Sequence, residues 1–228
     1  MKIGIISALA LEIEGVKSNL SVKSEINLAG FKFFEAQYDK LEIVIAICDV
    51  GKVNSASCTQ ILISHFGIDY LINLGVAGSM KNDVFLYDLI ISKELVHYDV
   101  RKSQMIGRFP YQETFKASDF LRNVAIKSAN LIGKKYHVGK IATGESFVTD
   151  PKIKERIIKD FKPHCVEMEG AAIAHVAFIN NVDFIVIRSI SDNASTSTNL
   201  NDKIIEMASK NTTILMLEML KELNLLKP

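Results

Sequence analysis

The stretch from Cys165 to Asn193 most constrains how this chain can fold. Its first half, Gly170 to Ile179, consists mostly of Ala, Ile, Val and Phe, so a helix here would be apolar on every side and must lie inside the protein. Phe184 to Ile187 is a continuous apolar run, which is typical of a strand covered on both faces in a parallel sheet. A buried helix followed by a buried strand predicts an α/β fold.

Charged side chains flank these two buried elements. Glu167 and Glu169 precede the helix, and Arg188 and Asp192 follow the strand. Ligands of open α/β sheets bind at the carboxyl ends of the strands, so these four side chains can converge on one pocket. Two structural explanations stay open beside this one. The glutamates can complement the helix dipole, and Arg188 can form a structural ion pair with Asp192.

The rest of the chain alternates between predicted strands and helices. Lys2 to Ser7 is predicted as a buried strand and Leu11 to Leu20 as the helix after it, which places Glu12 in the turn or in the first coil of that helix. Phe31 to Gln37 and Leu41 to Cys48 are predicted as a hairpin, so the sheet is mixed. The whole order predicts a three-layer αβα architecture with a central mixed sheet.

Three further segments are candidates for the rim of a site. Tyr70 to Leu74 is predicted as a strand that leads into Gly75 to Ser79, where two glycines permit either close approach of a ligand or a tight turn. Phe147, in a loop after another predicted strand, suits either core packing or stacking on a planar ligand. Arg101 to Ser118 lacks periodicity, which is typical of a lid or a binding loop.

Composition limits the classes of partner. The 228 residues are 48% hydrophobic and 23% charged, which is typical of a globular protein, and the length fits a single domain over residues 1–228. A net charge of +1 argues against a nucleic acid or an anionic membrane as partner, and no apolar run approaches the roughly 18 residues of a membrane span. Cys48, Cys58 and Cys165 lack metal-ligand spacing, so we expect reduced thiols and a cytoplasmic location.

Four motifs carry a resemblance to a known family. They are Val166-Glu-Met-Glu with the following Ala171-Ala-Ile-Ala-His-Val, Ile187-Arg-Ser-Ile-Ser-Asp, Met1-Lys-Ile-Gly-Ile-Ile, and Gly51-Lys-Val-Asn. With these motifs spaced along essentially the whole chain, the sequence resembles the 5′-methylthioadenosine/S-adenosylhomocysteine nucleosidases. The resemblance implies a nucleoside phosphorylase-like fold, a homodimer, no cofactor or metal, and irreversible hydrolysis of the adenine–ribose bond, with 5′-deoxyadenosine as a further candidate substrate.

The resemblance also implies roles for individual residues. Glu12 matches the general base that acts on water, Asp192 matches the acid at adenine N7, and Arg188 matches the arginine near the water. Glu169 matches the ligand of the ribose hydroxyls, and Met168 the ribose contact. The base-binding residues and the other expected lining residues are Phe147, which stacks on the purine, Val148, whose backbone meets the adenine edge, and Leu9, Val76, Ala77, Gly78, Glu167 and Ser191.

The sequence departs from the family pattern at three places. Val76 stands where many relatives have Ser and cannot hydrogen-bond the water. Residues 199–203 lack the Phe that closes over the substrate, and Arg101 to Phe115 aligns poorly with the thio-group loop. The choice among 5′ substituents therefore stays open.

Two other functions stay open beside hydrolysis. A phosphate-dependent purine nucleoside phosphorylase is disfavoured because no arginine stands in Asn73 to Met80 to hold the anion. A nucleoside-binding protein without turnover is the other alternative, and Val76 favours it. The intact acid and base positions argue against it.

Overall fold

The computed structural model describes residues 1–195 and 201–226 and is built around a ten-stranded mixed sheet. Within the described residues, the strands are β1 (Lys2–Ser7), β2 (Ser21–Leu28), β3 (Phe31–Tyr38), β4 (Leu41–Ile47), β5 (Tyr70–Ser79), β6 (Leu89–His97), β7 (Thr114–Lys116), β8 (Tyr136–Thr143), β9 (Cys165–Glu167) and β10 (Asp183–Asp192). The helices are α1 (Ala10–Lys17), α2 (Lys52–Ser64), α3 (Lys102–Gly107), α4 (Asp119–Leu131), α5 (Pro151–Phe161), α6 (Gly170–Ile179) and α7 (Asp202–Leu226).

The strands predicted from apolar runs form the centre of the sheet. β1 and β10 both pair with β5 in parallel, and nearly all of their residues are buried because helices cover both faces. Helices α1, α4 and α7 pack together on one side of the sheet, and α2 packs against α6 on the other. The predicted three-layer αβα architecture with a mixed central sheet is confirmed.

One part of the sheet closes on itself. β5 pairs with both β9 and β10, β10 pairs with β6, and β8 joins β6 to β9, so these five strands form a ring. The three-residue strand β9 completes the ring, although it is too short to show any periodicity in the sequence. This closure draws the carboxyl ends of β5, β8, β9 and β10 together.

Several predicted boundaries were wrong. The sheet has two hairpins rather than one, because Ser21–Leu28 forms the mostly exposed edge strand β2, and α1 ends at Lys17 rather than at Leu20. The segment predicted as irregular after Arg101 contains α3 and β7. β5 and β10 continue through the residues predicted as loops and end at Ser79 and Asp192.

Helix α6 is buried at its start and partly exposed at its end. Gly170 to Ala174 are buried as predicted, but Phe178 and Ile179 are 40% and 39% exposed. The sequence lacks the family's closing Phe at residues 199–203. Of these residues, 199 and 200 lie outside the described part of the chain. Among the described helices, none is long and apolar enough to cross a membrane.

Candidate active site

A cavity of about 130 Å³ opens where the carboxyl ends of β1, β5, β8, β9 and β10 meet. Twelve of the thirteen predicted site residues line it: Leu9, Glu12, Val76, Ala77, Gly78, Phe147, Val148, Glu167, Met168, Glu169, Ser191 and Asp192. Arg188 is the exception, because its side chain lies buried behind the wall. Five lining residues were not predicted: Ala8, Val50, Ser146, Val166 and Ala194.

Glu12 lies in the first turn of α1 and is 4% exposed. Its Oε1 accepts a hydrogen bond from the Val76 N–H at 2.9 Å, and its Oε2 accepts one from the Leu9 N–H at 2.9 Å. Burial raises the pKa of the Glu12 carboxyl above its ordinary value, and the Arg188 charge and these N–H groups offset that effect only in part. Glu12 is therefore a fixed carboxylate with increased affinity for a proton, as a general base requires.

Gly75 allows Glu12 and Arg188 to lie side by side. A Cβ atom at this position would come within 2.8 Å of Glu12 Oε1 and 3.1 Å of Arg188 Nη1. Gly75 lies within β5 and not in a turn, so the reason for the glycine is close approach of these two side chains. Of the two explanations left open for the glycines at residues 75–79, the tight turn is excluded because β5 continues to Ser79.

Arg188 pairs with Glu167 and not with Asp192. Its Nη2 donates to Glu167 Oε2 and, at 2.6 Å, to Asn73 Oδ1. Both side chains of the ion pair are about 2% exposed, so removing either partner would leave an uncompensated buried charge. The alternative of a structural ion pair between Arg188 and Asp192 is therefore wrong.

Glu167 has little capacity left for a substrate, although it lines the cavity. Its Oε2 also accepts from the N–H groups of Glu169 and Gly170 at 3.1 and 2.7 Å. Its Oε1 accepts a hydrogen bond from the Thr143 hydroxyl, which in turn accepts from the Ala171 N–H at 2.8 Å. Glu167 thus accepts hydrogen bonds from free N–H groups at the start of α6, which fits the alternative that the glutamates complement the helix dipole. The same contacts fix the backbone of Glu169.

Glu169 is held by the start of α2. Its Oε1 accepts a hydrogen bond from the Gly51 N–H at 2.9 Å, and it is 7% exposed. Burial, followed by repulsion from Glu167, raises the pKa of Glu169 to about 8. Gly51 has a φ of 101°, a conformation that favours glycine, so no other residue would present this N–H without strain. The role of Gly51 was missed, although the Gly51-Lys-Val-Asn motif had signalled its importance.

Asp192 ends β10 on the cavity wall. Its Oδ2 accepts from the Ser191 hydroxyl at 2.8 Å, and its Oδ1 accepts from the Ala194 N–H at 2.7 Å. A Cβ atom at Gly78 would lie 2.8 Å from Asp192 Oδ1, so this glycine leaves room for the carboxyl group. Asp192 is part-exposed toward the cavity, which is the position that a proton donor to a bound ligand needs.

The loop that follows β8 carries Phe147, which is 49% exposed, and Val148, which is 5% exposed. Two neighbouring residues hold it in place. Tyr98 Oη donates to the Ser146 carbonyl at 3.0 Å, and Asp99 Oδ2 accepts from the Glu145 N–H at 2.9 Å. The exposed ring of Phe147 faces the cavity rather than the core, so the loop offers an aromatic surface for a planar ligand.

Asp99 connects this loop to helix α2. Its carboxylate contacts Lys52 Nζ at 2.7 and 2.8 Å, and the Lys52 N–H donates to Glu145 Oε2 at 3.1 Å. We call this set of contacts among Lys52, Asp99 and Glu145 the loop clamp. Burial opposes ionisation, but the hydrogen bonds from Lys52 and from the Glu145 N–H together lower the pKa of Asp99. No local sequence pattern predicts the clamp, because its residues lie 46 and 47 positions apart.

The sequence is similar to a known family over nearly its whole length. The Phosphorylase superfamily model matches residues 2–221. The 5′-methylthioadenosine/S-adenosylhomocysteine nucleosidase of Maridesulfovibrio salexigens is 35% identical over 231 residues, covering 98% of this chain and 100% of the relative.

Two solved structures from Helicobacter pylori are also similar. The 5′-methylthioadenosine/S-adenosyl homocysteine nucleosidase, complexed with a substituted pyrrolidin-3-ol, has a TM-score of 0.91 and 34% identity over 97% of this chain and 98% of that chain. The futalosine hydrolase of strain 26695 has a TM-score of 0.92 and 34% identity over the same shares. By sequence and by structure, this chain belongs to the phosphorylase superfamily and, within it, to the 5′-methylthioadenosine/S-adenosylhomocysteine nucleosidases.

Proposed function

We propose that this protein hydrolyses the N-glycosidic bond of 5′-methylthioadenosine and S-adenosylhomocysteine, releasing adenine and the thioribose product. One observation carries the proposal: Glu12, Glu169 and Asp192 line the same cavity. Each carboxyl group is oriented by a backbone N–H group, from Val76, Gly51 and Ala194 respectively. Such preorganised groups suit a reaction that develops charge at several points of the substrate.

The proposed reaction divides acid and base between the two sides of the bond. Ionised Glu12 takes a proton from a water molecule whose oxygen bonds to C1′ of the ribose. The bond from C1′ to the purine breaks, its electron pair moves into the base, and Asp192 gives a proton to N7. This is the two-carboxylate logic of glycosidases, with an oxocarbenium-like transition state.

The remaining residues bind and orient the nucleoside. Glu169 bonds the ribose hydroxyls, and in its ionised form it balances the positive charge that develops on the sugar. Met168 contacts the ribose, Phe147 stacks on the purine, and the Val148 backbone meets the adenine edge. Arg188 acts indirectly, because its guanidinium lies beside Glu12 and holds Glu167.

The direct test is adenine release from 5′-methylthioadenosine in phosphate-free buffer. We expect full turnover without phosphate, and no comparable release by the Glu12→Gln variant. Adenine that appears only after phosphate is added would favour a phosphorylase. Binding without any release over a long incubation would favour a non-catalytic protein. The buried Arg188 argues against phosphate as co-substrate, because Glu167 and Asn73 already engage its guanidinium.

Futalosine is a second candidate substrate. The structural similarity to the Helicobacter pylori futalosine hydrolase is as high as the similarity to the nucleosidase of the same organism, with TM-scores of 0.92 and 0.91. Futalosine incubated in parallel with the thioadenosines would identify this activity through release of its base. No release from futalosine would restrict the activity to the thioadenosines.

A homodimer is the proposed assembly. Large apolar side chains are exposed on α2, on α3 and the residues that follow it, and at the end of α6: Val53, Ile106, Phe109, Tyr111, Phe178 and Ile179. Large exposed apolar side chains are expected at a protein interface. Sedimentation showing only monomer at micromolar concentration would contradict the dimer. The three buried free cysteines support the proposed cytoplasmic location.

A further inference from the structure

A second cavity, of about 570 Å³, lies beside the active-site cavity. We call it the hairpin groove; it runs between the start of α1, the β2–β3 turn, the end of β4 and the first turn of α2, and its walls include Ala8, Leu9, Phe31, Lys32, Asp49 and Asn54. Ala8 and Leu9 line both cavities, so the hairpin groove begins where the active-site cavity ends. The proposed reaction does not use it.

The hairpin groove carries one charge of each sign. The exposed side chain of Lys32 makes no hydrogen bond or ion pair with any residue in the described part of the chain. Asp49 is also exposed, and among the described residues its Oδ1 accepts a hydrogen bond only from the Val50 N–H, at 2.7 Å. The backbone of Asp49 is fixed, because its N–H donates to the Ala8 carbonyl at 3.0 Å with a φ of 61°. This hydrogen bond joins Asp49 to Ala8, which lines both cavities.

Strand register places Lys32 within reach of the site. Lys32 lies opposite Ile47 in the β3–β4 pair, and Ile47 lies opposite Ser7 at the end of β1. Two steps of roughly 4.8 Å each separate Lys32 from the strand end that precedes Leu9 and Glu12. The flexible four-carbon stem of lysine and a short aliphatic chain on the substrate together span such a distance.

We propose that the hairpin groove binds the α-amino acid end of a 5′ substituent, with Lys32 pairing with its carboxylate and Asp49 with its ammonium group. S-adenosylhomocysteine ends in this zwitterion, whereas 5′-methylthioadenosine ends in an uncharged methyl group. Lys32 and Asp49 are therefore specificity residues that favour the longer substrate. This assignment rests on the proposed function and adds the choice between its two substrates.

The test compares both substrates in matched variants. We expect Lys32→Gln and Asp49→Asn each to lower kcat/KM for S-adenosylhomocysteine by about threefold to tenfold through KM, the scale of a partly exposed ion pair. Values for 5′-methylthioadenosine should change by less than about twofold. Lys23→Gln, on the same hairpin but outside the groove, should affect neither substrate. An uncharged 5′-alkylthioadenosine of the same chain length separates the effect of charge from that of length.

Affinity measured by calorimetry in the Glu12→Gln background tests the hairpin groove independently of turnover. Equal losses for both substrates, an equal loss for the uncharged analogue, or unchanged binding of S-adenosylhomocysteine would each overturn the assignment. A wild-type protein that releases adenine from neither substrate would instead overturn the proposed function. The binding comparison would then still decide whether Lys32 and Asp49 recognise the charged end.

Discussion

At the scale of single residues, ionisation of Glu12 limits the proposed reaction at low pH. Its pKa is raised by burial, and only the ionised form can take a proton from water. We therefore expect kcat/KM to fall as pH falls through a value above the ordinary 4.5 of a glutamate. A pH–rate profile checks this, and Glu12→Gln should remove the acid limb with most of the activity. An acid limb at or below pH 4.5 would contradict the assignment.

Asp192 provides the second test at this scale. Replacing it with Asn keeps an oxygen for the Ala194 N–H but removes the proton donor. We expect turnover of 5′-methylthioadenosine to fall by roughly 10²–10⁴ while its affinity stays within about tenfold. Asp183→Asn, at the opposite end of β10, is the matched control. Because Arg188 pairs with Glu167, thermal stability should change little, and near-wild-type turnover would exclude the acid role.

At the scale of elements, the loop clamp joins the purine-binding loop to helix α2. Lys52 and Gly51 are neighbours at the start of α2, so the same helix end holds Glu145 in the loop and Glu169 at the ribose site. A shift of this helix end would displace both contacts. The start of α2 therefore positions two parts of the nucleoside site, the purine-binding loop through the loop clamp and Glu169 through the Gly51 N–H.

Asp99→Asn tests the loop clamp. The amide keeps the shape of the carboxylate but loses its charge, so the loop that carries Phe147 should be held less firmly. We expect KM for 5′-methylthioadenosine to rise by about threefold to tenfold, with a smaller change in kcat. Asp99→Glu should restore part of the loss, and Asp160→Asn on the exposed face of α5 is the control. A loss of thermal stability with unchanged KM would show that the clamp is merely structural.

At the scale of the whole molecule, the active site costs stability. The pKa of Glu169 is raised from 4.5 in the unfolded chain to about 8 in the folded protein. The folded state therefore binds the extra proton, and the stability linked to this group is present below pH 4.5 and is lost as pH rises toward 8. Ionisation of a buried carboxyl group beside Glu167 explains the direction.

Glu169→Gln removes this titration, because a neutral amide can still accept the Gly51 N–H. We expect the melting temperature of the variant relative to wild type to increase from pH 5 to pH 8, with a difference of at least about 2–4 °C, the shift that 1 kcal/mol gives in a chain of this size. Activity should fall at the same time. Glu155→Gln on exposed α5 should show no such trend. A difference that is constant with pH would contradict the raised pKa.

The sequence by itself determined the central sheet and most of the residues that line the cavity. Continuous apolar runs predicted β1, β5 and β10, and the apolar start of α6 predicted its burial, because a segment without a polar face has to lie inside the protein. The resemblance to the nucleosidases implied thirteen site residues, and twelve of them line one cavity. Strand ends alone predicted the convergence of Glu167, Glu169 and Asp192, since residues at the carboxyl ends of neighbouring strands meet at one edge of the sheet.

Only the tertiary structure decided which of these residues contact each other. Arg188 pairs with Glu167 rather than with Asp192, which is nearer to it in the sequence. The reason is that ring closure through β9 brings Glu167 against Thr143 and β10. Gly51 reaches Glu169 across 118 positions, and Asp99 reaches Lys52 across 47. Hydrophobic periodicity reports only the local environment of each segment, whereas these contacts depend on strand pairing and helix packing between distant segments.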